Sequence, residues 1–457
     1  MQTSSSYASV LKNPGFLNLW VNQILVQFAY NSLNFALILW VFRITNSNTA
    51  VAALLASVYL PSLLFGIISG VLVDVIDRKK IIILIDLILS GLFISLMFFK
   101  TSYISILFLT FLINSLVQLY LPAESSALPL TVKKEQLFVA NSLFSTTFFS
   151  TFLIGFGLSG PLITLFGINF IFKLGAGVMF LAFLLALKFP SITSKEDASS
   201  IKLRAAMFGG NINSFFEIVS LEIRQTINMI RKNLPIVSAL FILAGVQTVI
   251  GAIAVLLPSF LEKVLQIRPT DISYIVVIPL GIGMVLGAIL IGRIGHGIPR
   301  RTLVARSILF AGSMLFLVGI APLISPAIQH FPRPRAVSFL HQPSLATIMT
   351  LGSLLLGISV VSVIIPSQTV LQENTPEQDR GKVFGVLLAI VSGLSLLPIL
   401  FAGILSDLFG TMPIFIAIGG FIAIFGLLIL KPDFFFEERH LPFRIREFLG
   451  LGHWKKN

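Results

Sequence analysis

The chain has 457 residues, of which 56% are hydrophobic and only 11% charged, with a formal net charge of +13 and no cysteine. A soluble domain carries about 25% charged residues, so this chain lacks the polar side chains to cover a globule in water, and its mean hydropathy of +0.97 marks it as built for lipid. The missing cysteines exclude disulfides, thiolate–metal sites and cysteine nucleophiles. The basic excess is spread over short segments between apolar runs, which excludes a nucleic-acid surface.

A helix that crosses a bilayer needs about 20 mainly apolar residues. Windows of that kind occur twelve times, over 16–42, 50–73, 81–99, 103–121, 139–164, 168–189, 235–260, 271–292, 302–327, 345–370, 382–409 and 411–431. The strand-like run 81–89 is expected to be helical too, because a lone strand leaves its backbone groups unpaired in lipid. Residues 1–15 show no cationic, apolar and small-residue succession of a cleaved leader, so the first span is expected to do the targeting. With the N-terminus in the cytoplasm, inner segments hold 25 of the 32 Lys and Arg residues and outer segments 7. That asymmetry places both termini on the cytoplasmic side.

Within the first span, Gln23, Gln27 and Asn31 recur every four residues and share a face. The stretch GVLVDVIDRKK, residues 70–80, then interrupts two apolar runs with Asp74, Asp77, Arg78, Lys79 and Lys80. Asp86 lies some five residues into the third window. Asn114 and Gln118 share a face of the fourth, and Glu124 follows Pro122 at its inner mouth. Charges inside a membrane are costly and mark ion pathways by default. Asp86 and Glu124 are therefore candidates to carry a coupling proton, although Asp86 also suits structural pairing with Arg78 or a helix end. The fifth window holds GFGLSGP, with Gly155, Gly157, Gly160 and Pro161. Small residues at this density let helices approach closely, and the proline bends the helix.

A long polar segment, 190–234, follows the sixth window and becomes amphipathic, with Phe216, Val219, Ile223, Ile227 and Ile230 at helical spacing. It reads either as a helix resting on the inner membrane surface or as a solvated linker, and the basic-aromatic tail 432–457 carries the same two readings. Gln247 lies in the seventh window, and Ser359, Ser362 and Gln368 in the tenth. Such amides and hydroxyls either line a substrate pathway or only tie helices together. The strings GPLITLFG (160–167) and GILSDLFG (403–410) close the fifth and eleventh windows. Aligning Gly292 on Gly70 also sets His296 against Asp74 and Arg300 against Arg78, so the chain is expected to contain two related halves. The divisions are 1–189, a linker over 190–234, 235–431, and the tail.

The loop 70–80 resembles the signature loop of the major facilitator superfamily, G-x-L-x-D-x-x-G-R-[RK], through Gly70, Leu72, Asp74, Arg78 and Lys79, with Asp77 where glycine is usual. The D-R-[RK] form is similar to the branch of siderophore exporters and macrolide efflux proteins. The resemblance implies an all-α membrane protein of twelve helices in two pseudo-symmetric six-helix bundles, working by alternating access in a cell inner (plasma) membrane. It implies that the first, fourth, seventh and tenth spans line the cavity, which makes Gln23, Gln27, Asn31, Asn114, Gln118, Gln247 and Gln368 cavity candidates. It also implies that the loop is a gate, with Asp74 capping the start of the eleventh span; the competing reading is a plain positive-inside stop. Gly155 to Pro161 resembles the glycine-proline motif of the superfamily's exporters, except that Leu162 and Ile163 follow the proline.

No phosphate-cradling G-x-x-x-x-G-K-[ST] loop is present, and the five histidines are scattered without metal-ligand spacing. We therefore expect no enzyme, no cofactor and no metal. The expected activity is proton-coupled efflux of small amphipathic molecules, drug- or siderophore-like, by a monomer in the lipid bilayer, with the proton as coupling partner. Uptake or lipid flipping by the same fold, and a non-transporting sensor, are the alternatives.

Overall fold

A computed structural model of the protein describes residues 7–133, 136–189, 220–221, 224, 227–294, 299–329, 345–375 and 380–430. The expected surface helix over most of 190–234, the tail 432–457, His296 and Asp379 lie outside the described residues, and so does the side chain of Asp74.

Among the described residues, twelve helices are long and apolar enough to cross a membrane. They are Pro14–Thr45, Asn48–Val75, Arg78–Phe99, Tyr103–Thr131, Leu137–Phe166, Ile168–Ala186, Leu234–Ser259, Pro269–Ile291, Arg300–Gln329, Leu345–Glu373, Arg380–Phe409 and Thr411–Leu430. The expected ends hold to within three residues everywhere except one. The fourth span runs ten residues beyond the expected 121, through Pro122 and Pro129 to Thr131. Proline removes one backbone bond and kinks a helix. Hydroxyls here bond to carbonyls in the same stretch: Ser125 Oγ donates to Pro122 O (3.2 Å), Ser126 Oγ to Ala123 O (3.3 Å) and Thr131 Oγ1 to Leu128 O (2.8 Å).

Local chemistry sets several ends. Asp77 accepts from Lys79 N (2.9 Å) and starts the third span, Ser102 accepts from Ser105 N (3.3 Å) and starts the fourth, and Asn233 caps the seventh ahead of a proline in its first turn. The two LFG strings end their helices alike. Gly167 and Gly410 sit at φ 77 and 89, and their N–H groups donate back to Ile163 O and Ser406 O at 2.9 and 3.0 Å. Only glycine adopts this left-handed cap without strain. The shared string therefore encodes a shared stop.

The chain divides into two compact units, Met1–Ile44 with Ala56–Met229 and Gly381–Gly393, and Thr45–Leu55 with Ile230–Arg380 and Leu394–Asn457. In the first, the third span packs on the fourth and sixth. In the second, the eighth packs on the tenth, and the ninth on the tenth and twelfth. Two of those second-unit pairs, the eighth with the tenth and the ninth with the twelfth, approach to backbone distance. A Cβ at Gly283 or Gly357 would overlap the carbonyl of Leu354 or Leu280, and one at Gly312, Gly419 or Gly426 would overlap the backbone of Ala423, Phe316 or Leu309.

Candidate functional site: a buried carboxylate cluster

Four spans of the first unit converge on one polar cluster. The third span starts at Arg78, which puts Asp86 eight residues in, about 12 Å along the helix. The extended fourth span puts Glu124 about 10 Å from its end at Thr131. Asn22 is eight residues into the first span. The three residues thus share one level, joined by Tyr120, one turn before Glu124. Asn22, Asp86 and Tyr120 are 0% exposed and Glu124 is 4% exposed.

The amide of Asn22 organises the cluster. Its Nδ2 donates to Asp86 Oδ2 (2.8 Å) and to the carbonyl of Ala182 on the sixth span (3.0 Å). Its Oδ1 lies 2.8 Å from the hydroxyl of Tyr120, which lies 2.9 Å from Glu124 Oε1. Asp86 Oδ1 is buried with no hydrogen-bond partner. Among the described residues, no Lys or Arg bonds to either carboxylate. Burying a carboxylate is costly unless it is paired or protonated, so this cluster stands apart from ordinary packing.

Two expectations are corrected here. Asp86 pairs with Asn22, not with Arg78: the guanidinium Nε donates to Ser126 Oγ at 2.6 Å, because Asp86 lies two turns deeper along the same helix. Glu124 is not at the mouth of the fourth span but inside it, since the helix continues past both prolines. Asn22 and Tyr120 were not among the sequence candidates. Asn22 lies off the Gln23–Gln27–Asn31 face, and the one available signal was a tyrosine four residues before an intramembrane glutamate.

The signature loop is partly described. Asp77 caps the third span, Arg78 fastens it to the fourth through Ser126, and Lys79 Nζ donates to Phe189 O (2.6 Å) beyond the sixth. Gly70 lies inside the second helix. Gly155, Gly157 and Gly160 are buried and Pro161 half-buried. A Cβ at Gly155 would come within 2.8 Å of Asn31 Cβ, so this glycine lets the first and fifth spans touch.

Gln23, Gln27, Asn31 and Asn114 are buried, and Gln118 half-buried. Gln23 Nε2 donates to Phe144 O (3.3 Å) while its Oε1 has no partner, and Tyr30 donates to Asn114 Oδ1 (2.6 Å). Gln247 and Gln368, both half-buried, lie in the second unit. In that unit Asp407 accepts from Ser47 Oγ (2.6 Å), Asn48 N (2.9 Å) and Thr49 N (2.8 Å), which makes it the cap of a helix N-terminus. No group of His, Asp and Glu suited to a metal occurs among the described residues.

The family model described as Major Facilitator Superfamily matches residues 19–340. An uncharacterized MFS-type transporter of Bacillus subtilis, YfiS, is 24% identical over 85% of this chain and 86% of its own length. Macrolide efflux protein A of Streptococcus pyogenes is 24% identical over 67% of this chain and 73% of its own. Among solved structures, a peptide transporter, POT, in complex with sulfate aligns with a TM-score of 0.68 at 14% identity, covering 94% of this chain and 98% of that one. The nucleoside transporter NupG aligns with a TM-score of 0.62 at 12% identity, covering 90% and 98%. At such identities the structures share the fold alone.

Proposed function

The chain belongs to the major facilitator superfamily, and from that premise we propose that this multi-pass membrane transporter expels small amphipathic molecules in exchange for protons. The observation that carries the reading is the cluster of Asp86 and Glu124, two buried carboxylates without a basic partner among the described residues. A group of that cost is retained where it moves charge. The macrolide efflux relative supports export and an amphipathic cargo. The neutral amides Gln23, Gln27, Asn31, Asn114, Gln118, Gln247 and Gln368 suit such a cargo, since a pathway for a small anion calls for Arg or Lys at mid-membrane.

In the proposed cycle both termini face the cytoplasm, and cargo enters from there or from the inner leaflet of the cell membrane. Asp74 then caps the start of the eleventh span and closes the cytoplasmic side, with Gly70, Asp77, Arg78 and Lys79 shaping the loop. Gly155, Gly157, Gly160 and Pro161 allow the fifth span to slide on the first. Protons entering from outside drive the return, and a monomer suffices for the whole cycle.

The test is uptake into inside-out proteoliposomes under an imposed proton gradient, with macrolide, cationic and anionic amphiphiles, for wild type and Glu124→Gln. Gradient-driven accumulation reduced at least tenfold in the variant is the expected result. Accumulation of no compound, or accumulation indifferent to the gradient, overturns the reading.

A further inference from the structure

The cluster can be read for its hydrogens. Asn22 has two N–H bonds and both are spoken for, by Asp86 Oδ2 and by the carbonyl of Ala182. Rotating the amide by half a turn would aim its oxygen at that carbonyl, which only accepts, so the orientation is determined by the sixth span. Asn22 Oδ1 therefore faces Tyr120 and brings no hydrogen. Two close oxygen–oxygen contacts remain, Tyr120 to Asn22 at 2.8 Å and Tyr120 to Glu124 at 2.9 Å. Each needs one hydrogen, and the phenol supplies one in total. The second can come only from Glu124.

We propose that Glu124 is held as a carboxylic acid in this conformation, and that Tyr120 and Asn22 are the positioning residues that make its protonation state control a bond between the first and fourth spans. With the proton in place, Glu124 donates to the Tyr120 oxygen, and Tyr120 donates across to Asn22. When the proton leaves Glu124 for water, the carboxylate becomes an acceptor and draws the phenol hydrogen back to its own helix, four residues away. Asn22 Oδ1 then loses its donor and the tie between the spans opens. A buried acceptor left without a donor costs about 1–3 kcal/mol, so deprotonation favours a conformation in which these spans have moved. The inference rests on the pair being the coupling site and names its proton-bearing member. Among the described residues, the titratable and charged groups around Glu124 are Tyr120 on its own span and Asp86 on the third, with Arg78 engaged on Ser126 two residues beyond.

The test is infrared spectroscopy of the full chain in lipid nanodiscs at neutral pH, without cargo. A protonated carboxyl band is expected in wild type, absent in Glu124→Gln and retained in Asp86→Asn. In Tyr120→Phe the band is expected to move to higher frequency, toward a free acid, because the acid loses the oxygen it donates to. A purely structural tyrosine would not move it. A wild-type band absent at neutral pH, a band removed by Asp86→Asn instead, or a frequency unchanged by Tyr120→Phe each overturns the proposal. The band is read without transport. A protein that shows it and moves no amphiphile refutes the efflux reading and leaves this one standing.

Discussion

The two compact units use polar bonds and close glycine packing in different proportion to hold their helices together. In the first, buried and half-buried side chains tie spans to one another: Asn22 to Asp86, Ser90 Oγ to the carbonyl of Ala176 (2.9 Å), Trp20 Nε1 to Thr147 Oγ1 (2.7 Å) and Tyr30 to Asn114. In the second, hydroxyl pairs such as Thr248 with Ser395 (3.0 Å) and Ser259 with Thr411 (2.8 Å) also join spans, but glycines bring backbones into contact, Gly283 and Gly357 between the eighth and tenth spans, Gly312, Gly419 and Gly426 between the ninth and twelfth. Lipid gives no hydrophobic drive between helices, so either polar bonds or close packing must supply the attraction. Hydrogen bonds can be remade when a proton arrives or departs, whereas a backbone–backbone seam cannot. The first unit thus holds bonds that a proton could remake, and the second holds seams that it could not.

The largest effect should come from filling the seam. Gly357→Val pushes a side chain into the Leu280 carbonyl, and overpacking of this kind costs about 3 kcal/mol. Thermal unfolding in detergent is the measurement, with Gly245→Ala as control. Nothing lies within 4 Å of a Cβ at Gly245, so the control should unfold no earlier than wild type. Equal losses in both would break the claim that the seam depends on contact.

Next comes the polar unit. Asn22→Leu leaves Asp86 and the Tyr120 hydroxyl without their shared partner, a loss of about 1–3 kcal/mol, read in the same assay. A variant as stable as wild type would mean that the cluster is not what ties the first span. Glu124→Gln keeps the shape and a hydrogen to donate, so its unfolding should stay within about 1 kcal/mol of wild type while gradient-driven transport falls. A large destabilisation would turn the glutamate into a structural residue.

The smallest effect concerns an exposed pair. Arg300 holds Glu373 in a two-pronged bond at 2.6 and 2.9 Å, with half of the Glu373 side chain in solvent. The Arg300 guanidinium keeps the Glu373 carboxyl below its ordinary value. A lowered folded value means that the pair stabilises above the unfolded carboxylate pKa of about 4.3 and that this is lost as pH falls through the lowered value. Exposed pairs contribute about 0–1 kcal/mol. Glu373→Gln should therefore remove less than about 1 kcal/mol at neutral pH and nothing in acid. A larger loss would make this pair part of the frame.

Carboxylates show how far a sequence can be read. Asp86, Glu124 and Asp407 all stand out as charges in or near apolar runs. Asp407 proves to be a satisfied cap, with three donors around it, whereas Asp86 and Glu124 share a cluster whose organiser, Asn22, is one residue from a face the spacing rule does identify. Periodicity groups residues along one helix. It carries no information about which turn of another helix stands opposite.

Twelve spans, nearly all their ends and the two matching glycine stops follow from the amino-acid sequence, because lipid demands about 20 apolar residues per crossing and closes every backbone bond within the helix. The far end of the fourth span did not follow, since prolines that end helices in water are tolerated within membrane helices. Which carboxylate meets which partner was decided only in the tertiary structure, where Asn22, Asp86, Tyr120 and Ala182, far apart in the chain, come within 3.0 Å of one another link by link. Hydrogen bonds fall off within fractions of an ångström, and only packed helices set distances that fine.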